Sequence, residues 1–167
     1  MNIRDALLKE RPLIRTQRIE AYSEHASVVS EEHWQALQTA ISSEADAQPG
    51  VELIVAEIDG KIVGSVALFP PQSDAYEGLV EQVDYTEIRL LAVNSEARGQ
   101  GIATALVSEC INRTKNSGID FIGLHTADFM KNAINLYKGL GFERVPKYDF
   151  EPANDGVIVK AFRLNIK

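Results

Sequence analysis

An apolar run, EIRLLAV at residues 87 to 93, gives way within three residues to ARGQGIATAL at residues 97 to 106. The first is rich in the branched residues of a buried strand. The second, once past its two glycines, reads as the start of a helix. A strand handing over to a helix through a glycine turn commits this part of the chain to an α/β arrangement. Glycine there gives up side-chain packing and adds backbone freedom that folding must remove. On the turn alone two readings stay open. Gly99 and Gly101 supply the dihedrals of a tight turn, or they let an anion such as phosphate reach the free N–H groups and positive dipole end of the helix. In the second reading Arg98 adds a mobile positive charge at the rim.

The elements around the turn follow from period and punctuation. A helix is expected from about Ile102 to Asn116, with Ala103, Leu106, Val107, Cys110 and Ile111 as an apolar stripe and Gly118 as its left-handed cap. FIGLHT reads as a short buried strand, and MKNAINLYKGL as a second helix closed by Gly141. Upstream lie a short strand around Ile3, a charge-rich helical stretch to about Ala21, and a helix over Glu31 to Ser42. Ser30 is the N-cap of that helix, with Trp34, Leu37 and Ile41 on one face. SSEADAQPG is expected to be a loop. VELIVAEI and KIVGSVALF flank Asp59-Gly60, a strong hairpin signal, because both turn residues tolerate positive φ. PPQSDAYEGL reads as a loop, and FERVPKY with GVIVKAFRLNI as a closing antiparallel pair. The fold class is therefore α/β of the α+β type: a central mixed, mostly antiparallel sheet with helices on both faces, in one domain over residues 1 to 167.

Composition narrows the function. The net charge of −7 argues against nucleic acid as the main partner, which usually needs a basic surface. It leaves room for an anionic small ligand held by a local cluster of donors. No apolar run approaches the roughly 20 residues that cross a bilayer, and the first residues are too charged for a signal peptide. One cysteine excludes an intramolecular disulfide framework and fits a reducing compartment. The expected location is the cytoplasm, with no membrane partner.

Three phosphate-binding patterns can be laid on the turn. The P-loop string is absent. The dinucleotide fingerprint G-x-G-x-x-G is a near miss, with Gly99 and Gly101 in place but Thr104 at the third site; Asp128 would be its ribose acid, and too little chain follows for a second nucleotide-binding half. Arg98, Gly101 and Ala103 match Q/R-x-x-G-x-G/A, and with this the chain resembles the GNAT superfamily of acyl-CoA-dependent N-acyltransferases. TEIRLLAV resembles that family's fourth strand. AINLYKGLGF resembles its second conserved block, A-I-x-L-Y-x-x-x-G-F, and the upstream hairpin sits where the family has its second and third strands. The likeness runs from about Leu53 to Arg144. One position departs from the pattern: Met130 stands where many members have an asparagine that helps hold the pantetheine arm, and Asn132 lies two residues later.

The resemblance implies acetyl-CoA as co-substrate and an amine as acceptor. Its pyrophosphate would rest on the backbone N–H groups of Gly99, Gln100, Gly101, Ile102, Ala103 and Thr104, with Arg98 at the edge. Its pantetheine arm would pair with Leu91, Ala92 and Val93 as an added strand, and a backbone N–H near Val93 would meet the developing oxyanion. Glu87 would be the base, through water, and Tyr137 would protonate the leaving thiolate. Without the resemblance, Glu87 reads as a solvated carboxylate or a partner of Arg89, and Tyr137 as an aromatic on the inner face of a helix whose core residues are Ala133, Leu136 and Leu140.

Other residues leave alternatives. Cys110 would be the nucleophile of a ping-pong enzyme, but mid-helix on an apolar stripe it reads as a buried small hydrophobe. His125 either reaches the substrate cleft or is a partly buried polar residue. Asp74, Glu77, Glu81, Asp84 and Glu87 form either an acidic mouth for a cationic amine or a solvated charged loop. The expected activity is direct acetyl transfer to a primary amine of a small molecule or peptide, with no metal, and the reading allows a homodimer. Its alternative is a non-catalytic, regulatory acyl-CoA-binding module.

Overall fold

In a computed structural model the described residues are 1–73 and 82–167. In chain order they form β1 (Asn2–Asp5), α1 (Arg11–Tyr22), α2 (Glu31–Ile41), β2 (Glu52–Ile58), β3 (Lys61–Phe69), β4 (Thr86–Val93), α3 (Ile102–Asn116), β5 (Phe121–Ala127), α4 (Lys131–Gly139), β6 (Glu143–Arg144) and β7 (Val159–Asn165). The strands make one seven-stranded sheet in the order β1-β2-β3-β4-β5-β7-β6. β4 and β5 run parallel, whereas β1–β2, β2–β3, β5–β7 and β6–β7 are antiparallel. This is the mixed, mostly antiparallel sheet that the sequence leads one to expect.

The chain packs as two compact units, Met1–Leu68 with Leu90–Cys110, and Phe69–Arg89 with Ile111–Lys167. In the first, the β2–β3 hairpin turns at Asp59 (φ 51°) and Gly60 (φ 78°), the double positive φ of a type I′ turn. Ser30 caps α2 by accepting from the His33 N–H at 3.1 Å. The buried residues of α2 are His33 and Ile41, whereas Trp34 and Leu37 are only half-buried. The expected face is therefore rotated by about one residue at its start.

The stretch expected to be a loop holds a 3-10 turn, Glu44–Ala47, capped by Ser43. This turn carries Asp46 into the interior. Its carboxylate accepts from Arg15 Nη2 at 2.7 Å and from the fully buried Arg18 Nη1 at 3.2 Å, and Arg18 Nη1 also donates to the Ile41 carbonyl at 2.6 Å. Burial pushes the Asp46 carboxyl up; the two arginines outweigh it and hold the group below its ordinary value.

In the second unit, β5 pairs with β7 along its whole length, Phe121↔Asn165 to Ala127↔Val159, and Ile122, Leu124, Ala161 and Phe162 are buried. The closing pair is shorter than the sequence suggests. β6 has two residues because Pro146 cannot donate to a ladder, and the chain enters a 3-10 turn at Pro146–Tyr148.

Removing Asp46 leaves a buried guanidinium without its counter-charge, a change that typically costs about 3–5 kcal/mol. Asp46→Ala is expected to lose an amount of that order in urea unfolding at pH 7. Because the folded carboxyl titrates below its ordinary 3.8, its contribution is present above that pH and fades as the pH falls through the folded value. Unchanged unfolding at pH 7 would contradict the ion pair's role.

Candidate active site

β4 brings the candidate residues onto one strand, with Glu87 near its start and Leu91, Ala92 and Val93 at its end. Its parallel pairing with β5 covers only Thr86↔Ile122, Glu87↔Gly123 and Ile88↔Leu124. Two residues later Leu90 has φ 62°. A left-handed leucine within a strand interrupts the regular pleat, as a bulge does.

In the second unit Glu87 is 5% exposed. Its Oε2 lies 3.2 Å from His125 Nδ1, and His125 Nε2 lies 3.0 Å from the Tyr148 carbonyl oxygen. The carboxylate is thus neither solvated nor paired with Arg89, whose guanidinium lies over the Phe69 ring at 5.8 Å. The pairing was not foreseen from the sequence, which left His125 undecided between a cleft and a buried role. Gly123, opposite Glu87, is a glycine for lack of space. A Cβ there would come within 2.5 Å of the Tyr85 ring and 3.3 Å of the Phe162 carbonyl oxygen. The Tyr85 ring therefore packs on β5 at Gly123, with the Arg163 guanidinium 5.8 Å from its ring and 4.4 Å from that of Phe121. Burial, with Glu87 second, pushes the Tyr85 phenol up to about 12 against the pull of Arg163.

Tyr137 sits in the last turn of α4 and is 5% exposed. The helix ends in a Schellman arrangement: the Phe142 N–H donates to the Tyr137 carbonyl and the Gly141 N–H to that of Lys138, both at 3.0 Å. The same reversal brings the Phe142 ring edge-on to Tyr137, with centroids 5.7 Å apart. Tyr137 is the buried residue of this helix, whereas Ala133, Leu136 and Leu140, expected as core, are half-buried. Met130 immediately precedes α4 and accepts from Thr126 Oγ1 at its sulfur, 3.6 Å away.

In the first unit the turn has Gly99 at φ 80° and Gly101 at φ 78°, and a Cβ on either would meet nothing within 4 Å. The dihedrals thus require glycine, and the space beside the backbone is open. The Gly101 carbonyl accepts from Ala105 N–H at 3.0 Å, so the N–H groups of Ile102, Ala103 and Thr104 make up the first turn of α3, which has no partner within the helix. Ile102 and Leu106 fix this helix against β3: a Cβ on Gly64 would lie 3.1 and 3.3 Å from them and 3.1 Å from the Ala92 carbonyl. Arg98 is not a loose rim charge. Its guanidinium is ion-paired with Glu24 and donates to the Ala21 carbonyl at 3.3 Å.

Cys110 is fully buried in α3. Of the acidic loop residues, Asp84 is exposed and accepts from Gln72 Nε2 at 3.3 Å, while Asp74, Glu77 and Glu81 lie outside the described residues. Among the described residues no cluster of acidic, histidine and cysteine side chains could hold a metal ion, and no helix is long and apolar enough to cross a membrane.

Residues 12–142 match the model of the acetyltransferase (GNAT) family, and the chain belongs to that family. It is 35% identical over 97 residues to N-acetyltransferase family 8 member 2 of Rattus norvegicus; the match takes in 56% of this chain and 39% of that protein, so the chain corresponds to less than half of the relative. Two solved structures share the fold over nearly their whole length. An acetyltransferase of the GNAT family from Staphylococcus aureus Mu50 superimposes with a TM-score of 0.71 at 18% identity, covering 99% of each chain. The structure of yncA from Salmonella typhimurium with its cofactor acetyl-CoA gives 0.65 at 18% identity, covering 100% of this chain and 94% of that one.

The fit of Tyr85 over Gly123 is directly testable. Gly123→Ala is expected to lift the ring off β5, so that Tyr85 ionises nearer its ordinary 10 in an ultraviolet phenol titration. A Tyr85 still titrating near 12 in that variant would contradict the contact.

Proposed function

We propose that this chain is an acetyl-CoA-dependent N-acetyltransferase that moves the acetyl group directly to a primary amine of a small molecule or peptide. The observation that carries the reading is the unpaired first turn of α3 behind two left-handed glycines with open space beside them. Membership of the family and the fold shared with an acetyl-CoA-bound neighbour support it. The N–H groups of Gly99, Gln100, Gly101, Ile102, Ala103 and Thr104 would hold the pyrophosphate, with Arg98 released from Glu24 or shared with it. Leu91, Ala92 and Val93, past the left-handed Leu90, would offer main-chain groups to the pantetheine arm.

The amine nitrogen attacks the thioester carbonyl, forming the C–N bond as the C–S bond breaks. Glu87 takes the amine's proton, the Val93 N–H steadies the negative oxygen, and Tyr137 gives a proton to the departing sulfur. The burial of Cys110 supports direct transfer rather than a thiol-bound intermediate. A lone buried cysteine also suits a reducing, cytoplasmic setting. The second reading, a regulatory acyl-CoA-binding module, is favoured by one feature, Met130 in the place of the usual asparagine.

CoA release on mixing acetyl-CoA with a library of amines separates the two. Turnover is expected, and Glu87→Gln and Tyr137→Phe should each lower kcat about 100-fold with acetyl-CoA affinity unchanged by calorimetry. Full turnover in both variants would remove the assigned roles. Tight binding of acetyl-CoA with no amine acetylated would favour the module.

A further inference from the structure

His125 stands between two hydrogen-bond acceptors. Its Nδ1 faces Glu87 Oε2 at 3.2 Å, and its Nε2 faces the Tyr148 carbonyl oxygen at 3.0 Å. Both side chains are removed from solvent, at 5% exposure for His125 and 7% for Glu87. A carbonyl oxygen can only accept, so Nε2 carries the hydrogen of that bond. The Phe150 ring, 5.5 Å away and tilted, packs on the imidazole. The ring is therefore held by β5, by the Pro146–Tyr148 turn and by Phe150, and its remaining nitrogen is aimed at one oxygen of Glu87. The Glu87 Oε1 atom has no hydrogen-bond partner among the described residues.

Three neighbouring charged or titratable groups have partners of their own, and Asp149 also feels the charge of His125. Asp149 is gripped by both Arg144 nitrogens at 2.8 and 2.6 Å and by the Ala161 N–H at 2.8 Å. Arg163 is stacked on Phe121. Tyr85 feels both Glu87 and Tyr148 and is bonded by Arg163.

We propose that His125 is the positioning residue for the base. It anchors Glu87 through Oε2, so that Oε1 alone is presented to the amine or to the water that relays its proton. The Tyr148 carbonyl accepts the Nε2 hydrogen and Glu87 Oε2 accepts the Nδ1 hydrogen, so the anchoring ring carries hydrogen on both nitrogens, and the Pro146–Tyr148 turn is thereby part of the base's support. The proton lost by the amine ends on the Glu87 carboxyl, whose rotamer is fixed before the reaction begins. The inference rests on the reading of Glu87 as the base.

His125→Leu removes the anchor, whereas His125→Asn keeps an N–H donor at the Nδ1 position. Expected is a fall in kcat of about 10-fold or more for His125→Leu, an unchanged KM for acetyl-CoA, and recovery of most of kcat in His125→Asn. In the wild-type protein, 15N spectra of the labelled His125 ring should show hydrogen on both Nδ1 and Nε2. Wild-type kcat in His125→Leu, equal losses in both variants, or a ring lacking hydrogen on Nδ1 or on Nε2 would each overturn the proposal, and the ring spectrum does so even if the variants fail to fold. Glu87→Gln measured alongside tells the two ideas apart. A slow Glu87→Gln with a fast His125→Leu sinks this inference alone, and a fast Glu87→Gln removes the base and its anchor together.

Discussion

A leucine in the left-handed region of the backbone costs about 1–2 kcal/mol, and Leu90 sits there in the middle of β4. What holds it is its own burial: the residue is 5% exposed, and burying a leucine contributes about 1.5–3 kcal/mol. The two magnitudes are close, and burial is the larger. The consequence is a strand with two characters. Before Leu90, β4 pairs in parallel with β5 over three residues. After it, the strand ends where Asn94 N–H donates to the Val63 carbonyl at 2.9 Å, and it runs on into the glycine turn. The chain also changes compact unit between Arg89 and Leu90. Glu87 and the Leu91–Val93 segment thus share a strand but fall in different compact units.

Each half of the candidate machinery is fixed by ordinary packing. In the second unit, the absence of a side chain at Gly123 lets Tyr85 cover β5 beside Glu87, and the imidazole of His125 takes one carboxylate oxygen. Tyr137 owes its place to the way α4 stops. The Schellman turn satisfies two carbonyls and folds Phe142 back onto the tyrosine ring, an edge-to-face contact that adds about 0.5–1.5 kcal/mol beyond area burial. In the first unit, Gly64 lets Ile102 and Leu106 sit close on β3, which sets where the first turn of α3 begins. The Arg98–Glu24 pair ties the turn to the segment that follows α1.

Much of this was legible in the sequence because it is written in short-range signals. The Asp59-Gly60 hairpin, the Ser30 cap, the glycine closures at Gly118 and Gly141 and the strand–turn–helix at residues 87 to 106 depend on a few neighbouring residues, and all are present in the structure. What sequence reasoning missed depends on contacts between distant segments. Asp46 lies in a stretch composed like a loop, and only the arginines of α1, some thirty residues earlier, give it a reason to be buried. His125 shares a face of β5 with Gly123, and Gly123 lies opposite Glu87. The signal for the pair was the alternation within FIGLHT, but it means nothing until the parallel register is known. Arg98 looked free because Glu24 is 74 residues away.

In the proposed reading, the turn from Arg98 to Thr104 holds the phosphates of acetyl-CoA. The most direct measurement is a titration of the 15N-labelled chain with acetyl-CoA, followed through its backbone amide resonances. Saturable shifts are expected, centred on Gly99, Gly101, Ile102, Ala103 and Thr104, reproduced by CoA and weakened when pantetheine, which lacks the phosphates, replaces it. Saturable binding that leaves those amides unmoved and shifts others instead would contradict it.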